Sequence, residues 1–195
     1  MQDLGTFEKE KQMRKHIAAI LGIVTLISSL TIPTANIKAE DYWPDGPDID
    51  TPNAIVMEVN TGTVLYEKNS HEQHYPASIT KILTTWLTVE NCDLSEKIKF
   101  SKDAVYNNEG DTSHIWRDVG EEMTVEETLY AVMLASANEI SNAVAEHIGG
   151  SVENFADMMN KKAEELGCVN THFVNPNGLH DDNHYTCAYD MALIT

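Results

Sequence analysis

Positive charge is what this 195-residue sequence has least of: 13 Lys and Arg stand against 31 Asp and Glu, a formal net charge of −18. Residues 1–39 hold five of the basic and three of the acidic residues, so the remainder carries 8 against 28, or −20. Such a surface repels nucleic acid and anionic lipid head groups, which excludes nucleic-acid binding; solvated acidic faces that maintain solubility account for it. Cysteine is scarce as well. Cys92, Cys168 and Cys187 show no metal-ligand spacing, and an odd count in an exported chain leaves at least one thiol unpaired or intermolecular. A Cys168–Cys187 bridge stays open on sequence grounds, with no geometry to support it. No long apolar run occurs either: Ile17 to Leu30 spans about fourteen residues, too short for a comfortable membrane crossing. Internal repeats and low-complexity tracts are absent.

What precedes that apolar run gives it a meaning. Lys9, Lys11, Arg14 and Lys15 come first, and Ala35 and Ala39 follow as small residues at cleavage positions. The pattern is that of a secretory signal peptide over residues 1–39, with an uncleaved signal anchor as the alternative because Ile37 stands three positions back from the cut. Either way the rest of the chain works outside the cytoplasmic membrane, with membrane association through residues 17–30 if they are retained. Residues 40–52, rich in Pro and Asp, read as a linker ahead of a domain over 53–195.

Within that domain, Tyr75-Pro76-Ala77-Ser78-Ile79-Thr80-Lys81 places a hydroxyl and an amine three residues apart. On a helix starting near Ser78 the two share a face, so the amine reaches the hydroxyl. A serine is a poor nucleophile until a neighbouring base takes its proton, and a lysine becomes that base when burial or a positive field lowers its pKa. Taken alone, the spacing reads equally as an N-cap serine beside a solvated lysine. A second polar group, Ser136-Ala137-Asn138, interrupts small and apolar residues from Ala131 to Ala145 that otherwise read as packed helix. Buried hydroxyls and amides need partners, which a substrate carbonyl and a lysine would supply; an internally satisfied helix junction is the alternative.

Taken together, with Ala54-Ile55-Val56-Met57-Glu58-Val59, Thr61-Gly62-Thr63, Val119-Gly120-Glu121, Gly149-Gly150-Ser151, Leu166-Gly167 and Asn175-Pro176-Asn177-Gly178-Leu179, the sequence resembles the serine D-alanyl-D-alanine carboxypeptidases, the low-molecular-mass penicillin-binding proteins. The resemblance runs from about Asn53 to Thr195. It implies an α+β, multi-layer αβα fold of the β-lactamase/transpeptidase type, here a helical cluster plus the N-terminal hairpin of an antiparallel sheet. It implies that Ser78 is the acyl-ester nucleophile, Lys81 the general base, Ser136 a proton relay and Asn138 a hydrogen-bonding partner of substrate and Lys81. It also implies peptidoglycan stem peptides as substrates, β-lactams as covalent inhibitors, and no cofactor. Cys187 stands where the family usually has a small hydroxyl residue, which favours a buried thiol. No Lys-Thr-Gly or His-Thr-Gly occurs, and the chain reaches Thr195 inside an apolar helical run, so the expectation is a truncated chain with two of three catalytic elements. A catalytically inactive penicillin-binding module and a β-lactamase are the alternative functions.

Local signals place these groups. Asn60-Thr61-Gly62 lies between two apolar-rich runs, Ile55 to Val59 and Thr63 to Tyr66, as in a hairpin. Ser78 to Val89 reads as a helix with Ile82, Leu83, Trp86 and Leu87 in one apolar stripe. Thr124 and Glu127 have capping-box spacing for a helix to Leu134, and Gly149 and Gly167 close two more. Eight histidines invite a metal reading, yet His71, His74, His172, His180 and His184 lie in loop-like segments without a zinc-binding pattern, and solvated loop histidines are expected.

Overall fold

The computed structural model describes Met13 and residues 46–108 and 112–195. Contacts set residues 1–47 apart from a compact unit, Asp48–Thr195. The signal segment apart from Met13, and residues 40–45 of the linker, lie outside the described residues; 46–52 carry no helix or strand. No described helix is long and apolar enough to cross a membrane.

The hairpin forms as its turn residues direct. β1 (Ala54–Met57) pairs antiparallel with β2 (Val64–Lys68), Ile55 opposite Glu67 and Val56 opposite Tyr66. Gly62 at φ 68 supplies the left-handed position, and the Glu58 carboxylate accepts from the Asn60 and Thr61 amides and from both their side chains. Those donors hold the Glu58 carboxyl well below the usual carboxylate range.

A 3₁₀ turn, Ala77–Thr80, leads into α1 (Lys81–Asn91). Ser78 therefore lies in a 3₁₀ turn and not in the first turn of an α-helix as expected; at three residues per turn, positions i and i+3 eclipse, so the Ser78/Lys81 spacing keeps its consequence. A second two-stranded sheet, absent from the sequence reading, joins β3 (Lys97–Lys99) to β4 (Glu122–Thr124), with Ile98 opposite Met123. Strands of three residues leave little periodic signal, and the pairing spans a long connection that includes α2 (Lys102–Tyr106). Thr124 then caps α3 (Val125–Leu134) with the reciprocal Glu127 bonds that its spacing predicts.

The central helix is α4 (Asn138–Gly149), in which Asn138 to Ala145 are all buried. A helix buried all round must be apolar or internally satisfied on every face. On one side Ile140, Ala143 and Val144 join Ile98, Phe100, Val125 and Val132. On the other, Ala145 joins Leu83 and Leu87 of α1, Phe155 and Met159 of α5 (Val152–Glu165), and Met191 and Ile194 of α6 (Ala188–Ile194). Two cores flanking one helix fix its N-terminus against α1, which is where Lys81 lies. The C-terminal loop is tied back by His74 N–H donating to the Thr186 carbonyl at 2.7 Å. An apolar groove lined by Ile55, Met57, Ile79, Ile82, Met191 and Leu193 lies open beside β1 and α6.

All three cysteines are free thiols, and Cys187 is buried, its sulfur accepting from the Asp190 amide at the start of α6. The Cys168–Cys187 pairing is not made.

Candidate active site

Four side chains converge where α1 and α4 begin. Lys81 is 2% exposed, and its Nζ lies 2.7 Å from Asn138 Oδ1, 2.7 Å from the Asn177 carbonyl and 3.4 Å from Ser78 Oγ. Ser136 Oγ donates to Ser78 Oγ at 3.0 Å. Ser78, Lys81, Ser136 and Asn138 are thus all brought together.

Three oxygens surround Nζ. Its two short contacts are to oxygens that only accept, Asn138 Oδ1 and the Asn177 carbonyl, so they take two N–H bonds. Nζ also lies within donor reach of Ser78 Oγ, so the charged amine can give one N–H to each of the three oxygens; once it loses a proton, the direction left for its lone pair is the one toward Ser78 Oγ. Burial favours that loss. Desolvation lowers the Lys81 pKa to about 8, against the opposing attraction of the Glu139 carboxylate. Glu139 is itself buried, with Oε1 accepting from the Ile115 amide at 2.6 Å.

Two strained backbone positions flank the hydroxyls. Ala77 has φ 50 and Ser136 φ 53, and left-handed backbone in a residue with a Cβ costs about 1–2 kcal/mol. Strain of this kind persists where the surroundings over-determine it. At Ser136 it breaks the chain between α3 and α4, where the sequence reads as packed helix: α3 stops at Leu134, and Ala137, extended, starts α4. That break turns Ser136 toward Ser78 while Asn138 stays in the first turn of α4.

Sequence reasoning assigned no chemistry to the 175–179 loop, and the structure gives it a part. Asn175 Oδ1 accepts from the Gly178 amide at 2.7 Å, and Asn177 Oδ1 accepts from the Leu179 amide at 2.9 Å, side-chain turns that stiffen the loop. Asn177 Nδ2 donates to Asn142 Oδ1 of α4, and Thr84 Oγ1 of α1 donates to the Pro176 carbonyl. The Asn177 carbonyl is thereby aimed at Lys81. Gly178 packs so tightly that a Cβ there would lie 1.8 Å from the Ala77 carbonyl oxygen. The Asn-Pro-Asn-Gly-Leu string itself was the signal, but a backbone acceptor leaves no side-chain signature.

His184 corrects the reading of solvated histidines. It is 1% exposed, with Nε2 2.9 Å from Thr80 Oγ1, while Val174 N–H donates to Nδ1 at 3.2 Å. Nδ1 therefore accepts and Nε2 carries the proton. Burial lowers its pKa to about 4. Its folded pKa lies below the ordinary histidine value of 6.5, so the unfolded chain binds more protons between those values and stability falls as pH drops from 6.5 toward 4. The expected loss is on the order of 1–3 kcal/mol. Urea midpoints measured across that window check it: His184→Gln should flatten the limb, and an unchanged limb would assign it to other groups. His71, His74, His172 and His180 are exposed, as expected.

Comparison with known proteins adds to this geometry. The profile of the S11 peptidases, described as D-alanyl-D-alanine carboxypeptidase, matches residues 39–195. D-alanyl-D-alanine carboxypeptidase DacF of Bacillus subtilis is 46% identical over 180 residues, 90% of this chain and 45% of that protein. DacA of Haemophilus influenzae is 32% identical over 182 residues, 88% of this chain and 46% of its own. Among solved structures, penicillin binding protein 5 from Haemophilus influenzae superposes with a TM-score of 0.73 at 33% identity, covering 77% of this chain and 45% of that one. The chain thus spans about half the length, or a little less, of these relatives, and the likeness extends to fold as well as sequence.

Proposed function

The chain belongs to the D-alanyl-D-alanine carboxypeptidase family, and from that premise we propose that it carries the acylating machinery of a serine carboxypeptidase acting on the D-alanyl-D-alanine ends of peptidoglycan stem peptides. One observation carries the reading: the Lys81 amine is buried with two N–H bonds committed to fixed acceptors and its remaining direction on Ser78 Oγ.

In this proposal Ser78 Oγ attacks the penultimate carbonyl carbon as Lys81 Nζ takes its proton. The tetrahedral intermediate collapses, the peptide C–N bond breaks, and a proton passes through Ser136 Oγ to the departing amine of D-alanine. Water then attacks the Ser78 ester carbonyl as Lys81 Nζ takes its proton, the bond from the acyl carbon to Ser78 Oγ breaks, Oγ takes the proton back from Nζ, and the trimmed peptide leaves. Asn138 holds Lys81 through Oδ1 and offers its Nδ2 to the substrate amide. The Ser78 backbone N–H contributes one donor to the oxyanion hole; removing one such donor costs about 10²–10³ in rate. No cofactor takes part. The substrate places the work outside the cytoplasmic membrane, in keeping with the secretory pattern of residues 1–39 and with a surface unsuited to nucleic acid.

A β-lactam mimics the acyl-D-alanyl-D-alanine bond and should acylate the same oxygen. Labelling with a fluorescent penicillin, followed by mass spectrometry of the labelled peptide, is the test. An adduct on Ser78 that disappears in Ser78→Ala is expected. An adduct on another residue, undiminished labelling of Ser78→Ala, or no labelling of the wild-type chain would overturn the reading.

A further inference from the structure

The two helices that bring Lys81 and Asn138 together also bring together, at their other ends, three side chains to which the proposed chemistry gives no part. Cys92 caps the C-terminus of α1, Glu96 sits in the turn that follows, and His147 lies in the last turns of α4. The Cys92 Sγ, a Glu96 carboxylate oxygen and a His147 ring nitrogen all lie within 4.8 Å of one another. His147 Nε2 and Glu96 Oε1 are 2.8 Å apart. We propose that Cys92, Glu96 and His147 form a binding site for a thiophilic divalent cation of the zinc type, with a fourth position open to water.

The donor set supports that class of ion. One thiolate, one imidazole and one carboxylate suit zinc, whereas calcium and magnesium take oxygen donors. The three donor atoms share a 4.8 Å envelope, and ligation at about 3.5 Å between sulfur and nitrogen or oxygen asks Cys92 Sγ to close by at most about an ångström. Ligand bonds of about 2.0–2.3 Å in a tetrahedron put nitrogen and oxygen about 3.4 Å apart, so the Glu96 carboxylate opens by roughly half an ångström. Glu96 and His147 are partly exposed, their side chains at 43% and 28%, which leaves a path for the ion and room for a water ligand.

The ligands are also held in place before any ion arrives. The Cys92 amide donates to the Thr88 carbonyl, the Glu96 amide to the Asp93 carbonyl, and the Glu96 carbonyl accepts from Val125 at the start of α3. Cys92 packs against the core beside Ile98 and Val125. The sequence hides the site because Glu96 and His147 are 51 residues apart. Burial and the Glu96 and Asp93 carboxylates raise the Cys92 thiol pKa, so the metal-free group is protonated. Binding then exchanges the thiol proton for the S–M bond, with one proton released.

An ion here would clip the C-terminal ends of α1 and α4. α1 has 11 residues, so at 1.5 Å per residue the clip lies about 16 Å from Lys81. It would leave the serine chemistry untouched and stabilise the pair of helices that positions it.

Titration of the full chain with Co²⁺, whose thiolate charge-transfer band reports sulfur ligation, tests the site directly. One equivalent should produce the band, Zn²⁺ should displace it, and Zn²⁺ should raise the thermal midpoint where Mg²⁺ does not. Cys92→Ser should abolish the band, and His147→Gln, a change at a partly exposed position, should weaken binding at least about a hundredfold. Penicillin labelling of Ser78 should be unaltered in both. Absence of the band at stoichiometric cobalt, or a band that survives Cys92→Ser, would overturn the proposal. Binding unweakened in His147→Gln would do the same.

Discussion

Replacing Lys81 by arginine should slow acylation of Ser78 by about 10²–10⁴, the span general-base catalysis supplies. A guanidinium stays protonated at any accessible pH and has no lone pair to take the serine proton. It also keeps the positive charge, so the variant separates proton acceptance from electrostatic attraction. Second-order rate constants for penicillin labelling measure the effect, with thermal unfolding as the check that the variant folds. Labelling within tenfold of wild type would mean that some other group takes the proton. The wild-type profile provides the companion result. Burial sets the Lys81 pKa at about 8, so the acylation rate should rise about tenfold per pH unit below that value and level off above it. The same shift has a sign for stability. The folded pKa lies below the ordinary lysine value of 10.5, the unfolded chain binds more protons between the two, and Lys81 therefore contributes rising stability as pH climbs from about 8 to 10.5.

Gly178→Ala should be the most damaging single methyl in the molecule's 175–179 loop. The added Cβ would meet the Ala77 carbonyl oxygen at 1.8 Å and its carbon at 2.4 Å, both backbone atoms that cannot swing aside. Overpacking costs about 1–3 kcal/mol and the left-handed φ of 85 about 1–2 more, so a loss of roughly 3 kcal/mol or more is expected. Relief by moving the loop would draw the Asn177 carbonyl away from Lys81, and acylation should fall with stability. Gly150→Ala separates the two contributions. Gly150 has φ 75 but nothing within 4 Å of its would-be Cβ, so it reports backbone strain alone, about 1–2 kcal/mol. Urea unfolding of both variants decides: equal losses would show that the contact with Ala77 is unimportant.

Legibility differed from residue to residue within one site. Ser78 and Lys81 could be paired from sequence because three-residue spacing joins side chains in a 3₁₀ turn as well as in an α-helix. Thr124 and Glu127 capped α3 as read, and Gly62 marked the hairpin, because both effects act over a few residues. Ser136 was legible as an anomaly but not as a turn, since its left-handed backbone is imposed by what packs around it. The Asn177 carbonyl reaches Lys81 from 96 residues away, and His184 reaches Thr80 from 104. Neither contact has a local pattern, and a histidine among Asp and Asn reads as solvated until the fold covers it.

The sequence by itself determined the acidic composition, the cap and turn positions, the family likeness, and which groups are proposed for acyl transfer. These follow from composition and from interactions between residues a few positions apart. Only the tertiary structure decided that Lys81 is buried, that its amine is held by Asn138 and the Asn177 carbonyl within reach of Ser78, and that Cys92, Glu96 and His147 meet at the far ends of the same two helices. Charge state and ligand geometry depend on desolvation and on atoms brought close from distant parts of the chain, and those exist only once α4 is packed between its two cores.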